Sequence, residues 1–261
     1  MQKRTVCDQM GRQISVNKSP KRIISLVPSQ TELLFDLGLE PEVVGITKFC
    51  IHPREMFVSK VKVGGTKKLD LQRIRDLHPD LIIGNKEEND QLQIQELMNE
   101  FPVWMSDIYN LNDALEMIRA IGSLCEKEMN AQKIAQDIEM RFEGLKGIHA
   151  GKKVAYFIWK GPWMLAGKNT FISNILNYAG ILNATELERY PELSSEQIAD
   201  LKPDWIFLSS EPYPFKDQHI IEMKEICPDA EIRLVDGEMF SWYGSRLLHT
   251  PGYLQSILSL F

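Results

Sequence analysis

IRDLHPDLIIG, residues 74–84, returns in nearly the same form as IADLKPDWIFL at residues 198–208, and six of the eleven positions are identical. In each copy a helical turn should end before the proline, because proline disfavours the helical region for the residue that precedes it. The apolar runs that follow, residues 81–83 and 205–207, are typical of strands buried on both faces of a parallel sheet. The pattern therefore predicts helix, tight turn and central strand, written twice.

A second pair of similar stretches supports an internal repeat over the alternative, a chance recurrence of a common turn. LLFDLGL from Leu33 resembles ILNYAGI from Ile175. Each follows an apolar run, residues 23–27 and 154–158, that is typical of a strand. The order strand, helix, helix, strand thus recurs, and it predicts two related α/β lobes.

Composition narrows the class of protein. Hydrophobic residues make up 44% and charged residues 25% of the 261 residues, as in ordinary soluble globular proteins. The net charge of −6 argues against general nucleic-acid binding, which requires a basic surface. No stretch has the length and apolarity of a membrane helix.

The amino-terminal sequence MQKRTVCDQMGRQISV bears on the compartment. Its basic residues are not followed by the apolar segment of a secretory or lipoprotein signal. We expect a cytoplasmic protein as the sequence is written, or a periplasmic one if a leader has been removed. The four cysteines, Cys7, Cys50, Cys125 and Cys227, form no C-x-x-C pair and are expected to be buried thiols, as a reducing compartment allows.

Between the two lobes the sequence changes to helical spacing. Apolar residues recur every three to five positions, with charges between them, at Met129, Ile134, Ile138, Phe142 and Leu145. We therefore predict a first lobe at 1–125, a connecting helix at 126–150 and a second lobe at 151–261. Two lobes joined by one stiff helix should move little, so a small-molecule site should be largely preformed.

The ordered set of stretches from Pro20 (PKRIISLVPSQTELLFDLGLEPEVVGIT), Val63 (VGGTKKLDLQRIRDLHPDLIIG) and Leu193 (LSSEQIADLKPDWIFL) carries a family resemblance. The chain resembles the helical-backbone substrate-binding proteins of ABC importers for vitamin B12, haem and iron–siderophore complexes, and most closely their cobalamin-binding branch. The resemblance implies two Rossmann-like lobes with parallel sheets, one long connecting helix and a ligand cleft between the lobes. It also implies a monomer that has no catalytic activity and no cofactor of its own.

The resemblance extends to the contacts with the membrane permease. Proteins of this kind carry an exposed glutamate on each lobe that docks onto permease arginines. Glu196 matches the second-lobe position, whereas Gln72 stands at the first-lobe position, with Asp70 two residues before it. Loss of one carboxylate weakens charge pairing at that end.

Ligands of open α/β lobes collect at the carboxyl ends of the strands, so the residues after each predicted strand are candidates. In the first lobe Ser29 or Thr31 is expected to cap a helix that has Glu32 in its first turn. The ligand-binding candidates there are Pro28, Ser29, Phe49, Thr66 and Asn85, while residues 86–88 are expected to be solvated loop charges. Cys50 and His52, two residues apart, could face one side of an extended segment and hold a soft or borderline metal; the alternative is a loop cysteine and a surface histidine.

The second lobe is richer in aromatic candidates. Gly161 and Pro162 should break the strand at 154–158 and leave Trp163 on a loop or an edge. The loop after residues 232–235 combines three aromatic residues with an arginine. The ligand-binding candidates are Trp159, Trp163, Tyr190, Trp242, Tyr243 and Arg246, and core packing is the alternative for each tryptophan.

Aromatic faces accompanied by a few basic residues favour a large, flat, mostly apolar ligand with polar edges, such as a corrinoid or haem. The first hypothesis is a non-catalytic corrinoid-binding protein that delivers its ligand to an ABC importer. A haem- or siderophore-binding protein is the nearest alternative. A tetrapyrrole enzyme that uses Cys50 and His52 is a further one, although no known catalytic motif is present. The last alternative is a sensor that has kept the fold but lost its permease partner.

Overall fold

The fold is described from a computed structural model that covers residues 3–145 and 151–259. An antiparallel hairpin of β1 (Lys3–Cys7) and β2 (Gln13–Asn17) precedes the first large sheet. The first sheet is wholly parallel, has the order β5-β4-β3-β6-β7, and consists of β3 (Ile23–Ser25), β4 (Val43–Ile46), β5 (Val61–Lys62), β6 (Leu81–Asn85) and β7 (Val103–Ser106). Helices accompany it at α1 (Pro28–Asp36), α2 (Arg54–Ser59), α3 (Leu71–Asp76), α4 (Gln91–Met98) and α5 (Leu111–Leu124).

The second sheet has a parallel centre and antiparallel additions. β8 and β13 flank β12 in parallel, whereas β9 is antiparallel to β8, and β11 to β9. The strands are β8 (Lys153–Trp159), β9 (Trp163–Leu165), β10 (Leu182–Asn183), β11 (Glu192–Leu193), β12 (Trp205–Ser209) and β13 (Glu231–Val235). The remaining helices are α6 (Glu128–Glu143), α7 (Phe171–Tyr178), α8 (Ser195–Asp200), α9 (Asp217–Ile226), α10 (Glu238–Ser241) and α11 (Thr250–Leu258).

The doubled phrase folds as predicted in both sheets. α3 and α8 each end three residues before the proline, and the residue before that proline is left-handed, with φ of 44° at His78 and 45° at Lys202. β6 and β12 follow and are buried at every position. Because the strands are covered on both faces, their apolar runs show no alternation.

The repeated aspartate after the proline ties each central strand to its neighbour. The Asp80 carboxylate accepts a hydrogen bond from the Arg22 backbone N–H at 2.8 Å, directly before β3. The Asp204 carboxylate accepts one from the Lys153 N–H, also at 2.8 Å, at the start of β8. This bond is the first cause of a lowered pKa for Asp204. The identity of the two aspartates therefore has a shared structural reason.

The second pair of similar stretches also adopts one conformation. α1 and α7 both stop before a glycine in the left-handed region, with φ of 72° at Gly38 and 78° at Gly180. Glycine enters this region without the penalty that a Cβ atom brings, which suits it to the position after a helix. The prediction of two similarly built α/β halves is confirmed.

A helix does lie in the predicted connecting segment, but its buried stripe differs from the prediction. α6 lies within residues 126–148, and residues 146–150 fall outside the described part of the chain. Met129 is almost fully exposed and Ile134 only half-buried, whereas Ala131 and Ala135 are buried. α5 passes close by at this point, because a Cβ on Gly122 would lie only 2.2 Å from the Cβ of Ala131. Glycine at position 122 therefore allows the two helices to approach.

The described chain divides into two compact units. Unit 1 holds the first sheet and comprises residues up to Ile108, Asn112–Asp137 and Tyr243–Arg246. Unit 2 holds the second sheet and comprises Tyr109–Leu111, Ile138–Trp242 and the residues from Leu247 onward. The predicted boundaries at 125 and 151 did not anticipate two short exchanges. Tyr109–Leu111 lies in the predicted first lobe but belongs to unit 2, and Tyr243–Arg246 lies in the predicted second lobe but belongs to unit 1. No helix among residues 3–145 and 151–259 is both long and apolar enough to cross a membrane.

Candidate ligand-binding surfaces

A group of aromatic side chains, here called the aromatic surface, lies at the carboxyl ends of β8 and β12 in unit 2. It consists of Trp159, Trp163, Tyr213, Phe215 and His219. Trp159 ends β8, is 41% exposed, and meets the edge of Tyr213 with ring centroids 5.6 Å apart. Trp163 and Tyr213 are half-buried, whereas Phe215 and His219 are buried. The aromatic groups that stay partly exposed at this edge of a parallel sheet, Trp159, Trp163 and Tyr213, are suited to cover the face of a flat ligand.

The predicted break after the strand is a hairpin turn, which returns the chain as β9. Trp163 is the first residue of β9, is half-buried, and lies parallel to Phe215 with centroids 6.1 Å apart. Lys160 lies 5.3 Å above the Trp163 ring and pairs with Glu222. Trp163 is thus neither on a loop nor on an edge strand, because β9 lies between β8 and β11, and one of its faces is already occupied by Phe215.

Tyr213 and His219 form a polar pair within the aromatic surface. The His219 Nδ1 accepts the Lys216 backbone N–H at 2.8 Å, so in the neutral ring the proton resides on Nε2. Nε2 lies 3.3 Å from the Tyr213 hydroxyl and can donate to it. Tyr213, Phe215 and His219 are not among the ligand-binding residues predicted from the sequence. Their position could have revealed Tyr213 and Phe215, because both lie within six residues of the carboxyl end of β12, whereas His219 lies in the following helix α9.

Unit 2 also contains a polar cavity of about 610 Å³, here called the amide cavity. Arg189 lies beside it, with its guanidinium 5.3 Å from the centroid of Tyr109 and 5.4 Å from that of Tyr190, and donates to the Asn169 carbonyl at 2.6 Å. Tyr190, a predicted ligand residue, is therefore half-buried beside an arginine. The cavity is lined by Tyr109, Asn110, Lys168, Asn169, Thr170, Ser173, Asn174, Asn177, Glu188 and Arg189.

In unit 1, Phe49 is the predicted ligand residue that the structure leaves accessible. It follows β4, is 50% exposed, and has the Lys48 ammonium 5.0 Å from its ring centroid. A Cβ on Gly65 would lie 3.1 Å from the Phe49 ring, so the glycine allows the ring to rest against the backbone there. Thr66, next in sequence, is half-buried, and its carbonyl accepts from the Asn89 side chain at 3.2 Å.

Predicted capping at α1 is wrong. The helix begins at Pro28, its N-cap is Val27, and no side chain caps it. The Thr31 hydroxyl instead bonds the Val27 carbonyl at 2.9 Å, one turn back within the helix. Pro28 and Ser29 are buried, so neither side chain is accessible to a ligand in this structure.

Asn85 and Glu88 both act in the internal structure of unit 1. Asn85 is buried at the end of β6, where its side chain accepts from the Glu87 and Glu88 backbone N–H groups and donates to the Ser106 hydroxyl. The expectation that Glu88 is a solvated loop charge is wrong, because its carboxylate accepts from the Tyr243 hydroxyl.

The loop that contains Trp242, Tyr243 and Arg246 is largely buried. The prediction that these side chains bind a ligand required them to be exposed. The Trp242 indole N–H donates to the Glu211 carboxylate at 2.9 Å within unit 2. Burial, followed by repulsion from Glu88, raises the Tyr243 pKa well above its usual value. Arg246 pairs with both oxygens of Glu32, at 2.9 and 2.6 Å. These groups are engaged inside the protein.

The geometry gives no support to the proposed metal pair. Cys50 is fully buried beside the Thr47 hydroxyl, and burial raises its pKa to about 11, so at neutral pH it carries its proton. A thiol binds a metal as thiolate. His52 is half-buried, and no group of three or more His, Cys, Asp or Glu side chains among the described residues is placed to hold a metal ion.

The two predicted permease-docking positions are both accessible at the surface. Glu196 lies in the first turn of α8, and a hydrogen bond from the Ser194 hydroxyl is the first cause of its lowered pKa, so the carboxylate is charged at neutral pH. Ser194 is the N-cap of this helix and forms a capping box with Gln197. Gln72 is exposed on α3 and donates to Asp76 at 2.8 Å.

Two α/β units with parallel sheets and aromatic groups at the carboxyl ends of strands define a solute-binding protein. The chain belongs to the periplasmic binding protein family, whose model matches residues 23–226. It is 27% identical over 214 residues to an ABC transporter substrate-binding lipoprotein of Bacillus subtilis, covering 77% of this chain and 68% of that one. It is 28% identical over 200 residues to the vitamin B12-binding protein of Vibrio parahaemolyticus, covering 74% and 72%.

Solved structures share the two-lobe fold. The petrobactin-binding protein of Bacillus subtilis superposes with a TM-score of 0.82 at 17% identity, over 98% of both chains. At such identity the likeness extends to the fold alone. The predicted fold class and the predicted family are both confirmed.

Proposed function

We propose that the protein binds a metal chelate of the corrinoid class, leaves it chemically unchanged, and delivers it to an ABC importer. The family consists of solute-binding proteins, and relatives over most of the chain are named vitamin B12-binding proteins. The proposed role places its site of action on the side of the membrane from which an importer collects its ligand.

The observation that carries this proposal is the aromatic surface. A corrin macrocycle is broad and largely apolar on its faces, and it gains most from contact with aromatic rings that are held in place before it arrives. Trp159 and Tyr213 meet this requirement because each is partly exposed and braced by a neighbouring ring. Phe49 is a similarly exposed ring on unit 1.

Haem is the second candidate, and the pair of Tyr213 and His219 favours it. A phenolic oxygen is a known axial ligand of haem iron, and a hydrogen bond donated by a neighbouring group orients such a ligand. Here the His219 Nε2 lies 3.3 Å from the Tyr213 oxygen. Haem would then meet the aromatic surface through its iron, whereas a corrinoid would meet it through its ring face.

Retention of two coloured ligands on a desalting column tests the proposal. The purified protein is mixed with cyanocobalamin or with haemin, passed through a desalting column, and read in the visible region. We expect the protein to retain cyanocobalamin when the ligand is supplied at micromolar concentration. The cyanocobalamin released afterwards should be chemically unchanged. Retention of haemin alone, with a spectrum that changes in Tyr213→Phe, would select the haem alternative. Retention of neither chromophore would refute chelate binding.

Delivery is tested through Glu196. Glu196→Lys should impair corrinoid uptake in cells that depend on this protein while leaving the affinity for cyanocobalamin unchanged. Uptake that is unaffected by this reversal of charge would contradict docking through Glu196. Gln72→Glu, which restores a carboxylate in unit 1, should leave uptake equal or raise it.

A further inference from the structure

His219 is a buried member of the aromatic surface, with only 2% of its surface exposed. Its ring meets Tyr213 and Phe215 edge to face, with centroids 5.5 and 5.3 Å apart, and those two rings lie 4.8 Å from each other. Phe215 in turn stacks on Trp163, and Tyr213 meets Trp159. The buried imidazole therefore supports, directly or through one neighbour, the rings that stay accessible to a ligand.

Both ring nitrogens of His219 are engaged by groups of the chain. Nδ1 accepts the Lys216 backbone N–H at 2.8 Å, at the amino end of α9. Nε2 lies 3.3 Å from the Tyr213 hydroxyl and donates to it when the ring is neutral. One nitrogen thus ties the loop after β12 to α9, and the other orients Tyr213.

The preceding helix makes the same backbone bond with a side chain that does not titrate. In α8 the third helical residue is Gln197, and its amide oxygen accepts the N–H of Ser194, the N-cap, at 2.8 Å. In α9 the third helical residue is His219, which accepts the N–H of its own N-cap, Lys216. Glutamine and glutamate are the usual residues for this bond. Histidine adds a second nitrogen that reaches Tyr213 and a charge that changes between about pH 8 and pH 5.

We infer that His219 is a positioning residue that makes ligand binding at the aromatic surface depend on pH, an inference that rests on the proposed function for its ligand. A second proton would occupy Nδ1 and remove its only lone pair, so the bond from the Lys216 N–H would be lost. The charged ring would also have to leave its buried position or remain there at a high cost in desolvation. Tyr213 and Phe215 would then lose their support. The surface is ordered for binding at mildly alkaline pH, and it releases the ligand as the pH falls.

The surroundings of His219 contain no group that compensates for an added proton by pairing with the ring. Among the described residues, no carboxylate forms an ion pair with His219, and the Gln218 amide, 3.4 Å from Nε2, is neutral. Glu222, one turn further along α9, is engaged by Lys160 of the turn between β8 and β9. The other charged side chains on α9, and on the loop, helix and strand that pack around it, are Lys216, Asp217, Lys224 and Glu225, Glu211, Glu196 and Asp200 of α8, and Glu231 and Arg233 of β13.

Substitution of His219 by glutamine removes the titrating ring and keeps the bond to the backbone. Gln197 shows that a glutamine at this helical position reaches the N–H of the N-cap. His249→Gln is the matched control, because this histidine is exposed in the same unit, at the start of α11. Cyanocobalamin suits the titration, since it carries no group that titrates in the range of histidine.

We expect wild type to bind cyanocobalamin roughly 5- to 30-fold more weakly at about pH 5 than at about pH 8, the effect of losing one or two hydrogen bonds that hold the site. His219→Gln should bind within roughly threefold of wild type at about pH 8 and change by less than about twofold across the range, because its amide takes up no proton. His249→Gln should keep the wild-type profile. Circular dichroism at both pH values verifies that each protein is folded.

The aromatic surface can also be followed without a ligand. Trp159 and Trp163 contact Tyr213 and Phe215, so the tryptophan emission of ligand-free wild type should change over the same pH range. The change should disappear in His219→Gln and shrink in Trp159→Phe. Because the wild-type measurement uses the native histidine, it decides the inference even if His219→Gln does not fold.

Each contrary outcome has its own meaning. If wild type binds cyanocobalamin with an affinity and an emission that are both independent of pH, His219 does not control the surface, while the proposed function stands. If His219→Gln keeps the wild-type pH profile, another group titrates and the inference is wrong. If wild type binds neither cyanocobalamin nor haemin, the proposed function fails and pH-dependent release fails with it, whereas a pH-dependent emission that His219→Gln removes would still support the ordering of the surface by His219.

Discussion

Truncation of Trp159 to alanine is the sharpest test of the aromatic surface. An aromatic side chain buries about 150–250 Å² when fully covered. Trp159 is 41% exposed, so a ligand can cover at most roughly 100 Å² of it. At about 25 cal/mol per Å² this contact contributes up to about 2.5 kcal/mol to binding, or roughly 70-fold in affinity. Partial coverage lowers the expected loss to about 1–2.5 kcal/mol, roughly 5- to 70-fold.

Isothermal titration calorimetry with cyanocobalamin measures this loss of affinity in wild type, Trp159→Ala and Trp159→Phe. The phenylalanine variant keeps a ring for stacking and should recover most of the affinity. Ile221→Ala, an exposed apolar truncation on α9 in the same unit, is the control. Trp159 is partly exposed and pairs with Tyr213 in a T-shaped arrangement, so the alanine variant should lose about 1 kcal/mol of unfolding free energy or less. Wild-type affinity in a folded Trp159→Ala variant would refute the reasoning.

Three further predictions concern stability and reactivity. Trp242→Ala should lower the free energy of unfolding by about 3–5 kcal/mol in denaturant titrations, because the ring is buried and its N–H bonds Glu211; a near-neutral change would show that the ring is not part of the folded core. Asp204→Asn should cost about 1 kcal/mol at neutral pH. Since the folded pKa of Asp204 is lowered, that difference should persist above its unfolded pKa and shrink as the pH falls through its folded pKa, and a difference independent of pH would contradict this assignment. Cys50, whose pKa is raised to about 11 by burial, should resist iodoacetamide at pH 8 until the protein unfolds, and rapid labelling of the native protein would contradict its burial.

Tertiary contacts explain why several site predictions need revision. Asn85 stands where a ligand residue was expected, yet its side chain organises the loop after β6 and reaches across to β7. Tyr243 and Arg246 carry the residue types of a recognition loop, but they meet Glu88 and Glu32, more than 150 positions away in the chain. Residue type shows which bonds a side chain can form, and only the fold shows which partners it has.

The sequence by itself determined the architecture, because the signals involved are local. A proline after a helical turn and before an apolar run ends the helix and lets a strand begin, and the chain contains this signal at Pro79 and at Pro203. Two glycines likewise stop α1 and α7. Both pairs lie close to half a chain apart, so the two similar halves are recognisable from the amino-acid pattern alone.

Only the tertiary structure decided which side chains stay accessible. Exposure depends on elements that are distant in sequence, as when Phe215 covers one face of Trp163 while Trp159, four residues earlier, remains partly open. Cys50 and His52 are two residues apart, yet one is sealed beneath its neighbours and the other only half-buried, because a loop does not keep the alternation of a strand. The physical reason is that burial is a property of packing between elements, which no local pattern contains.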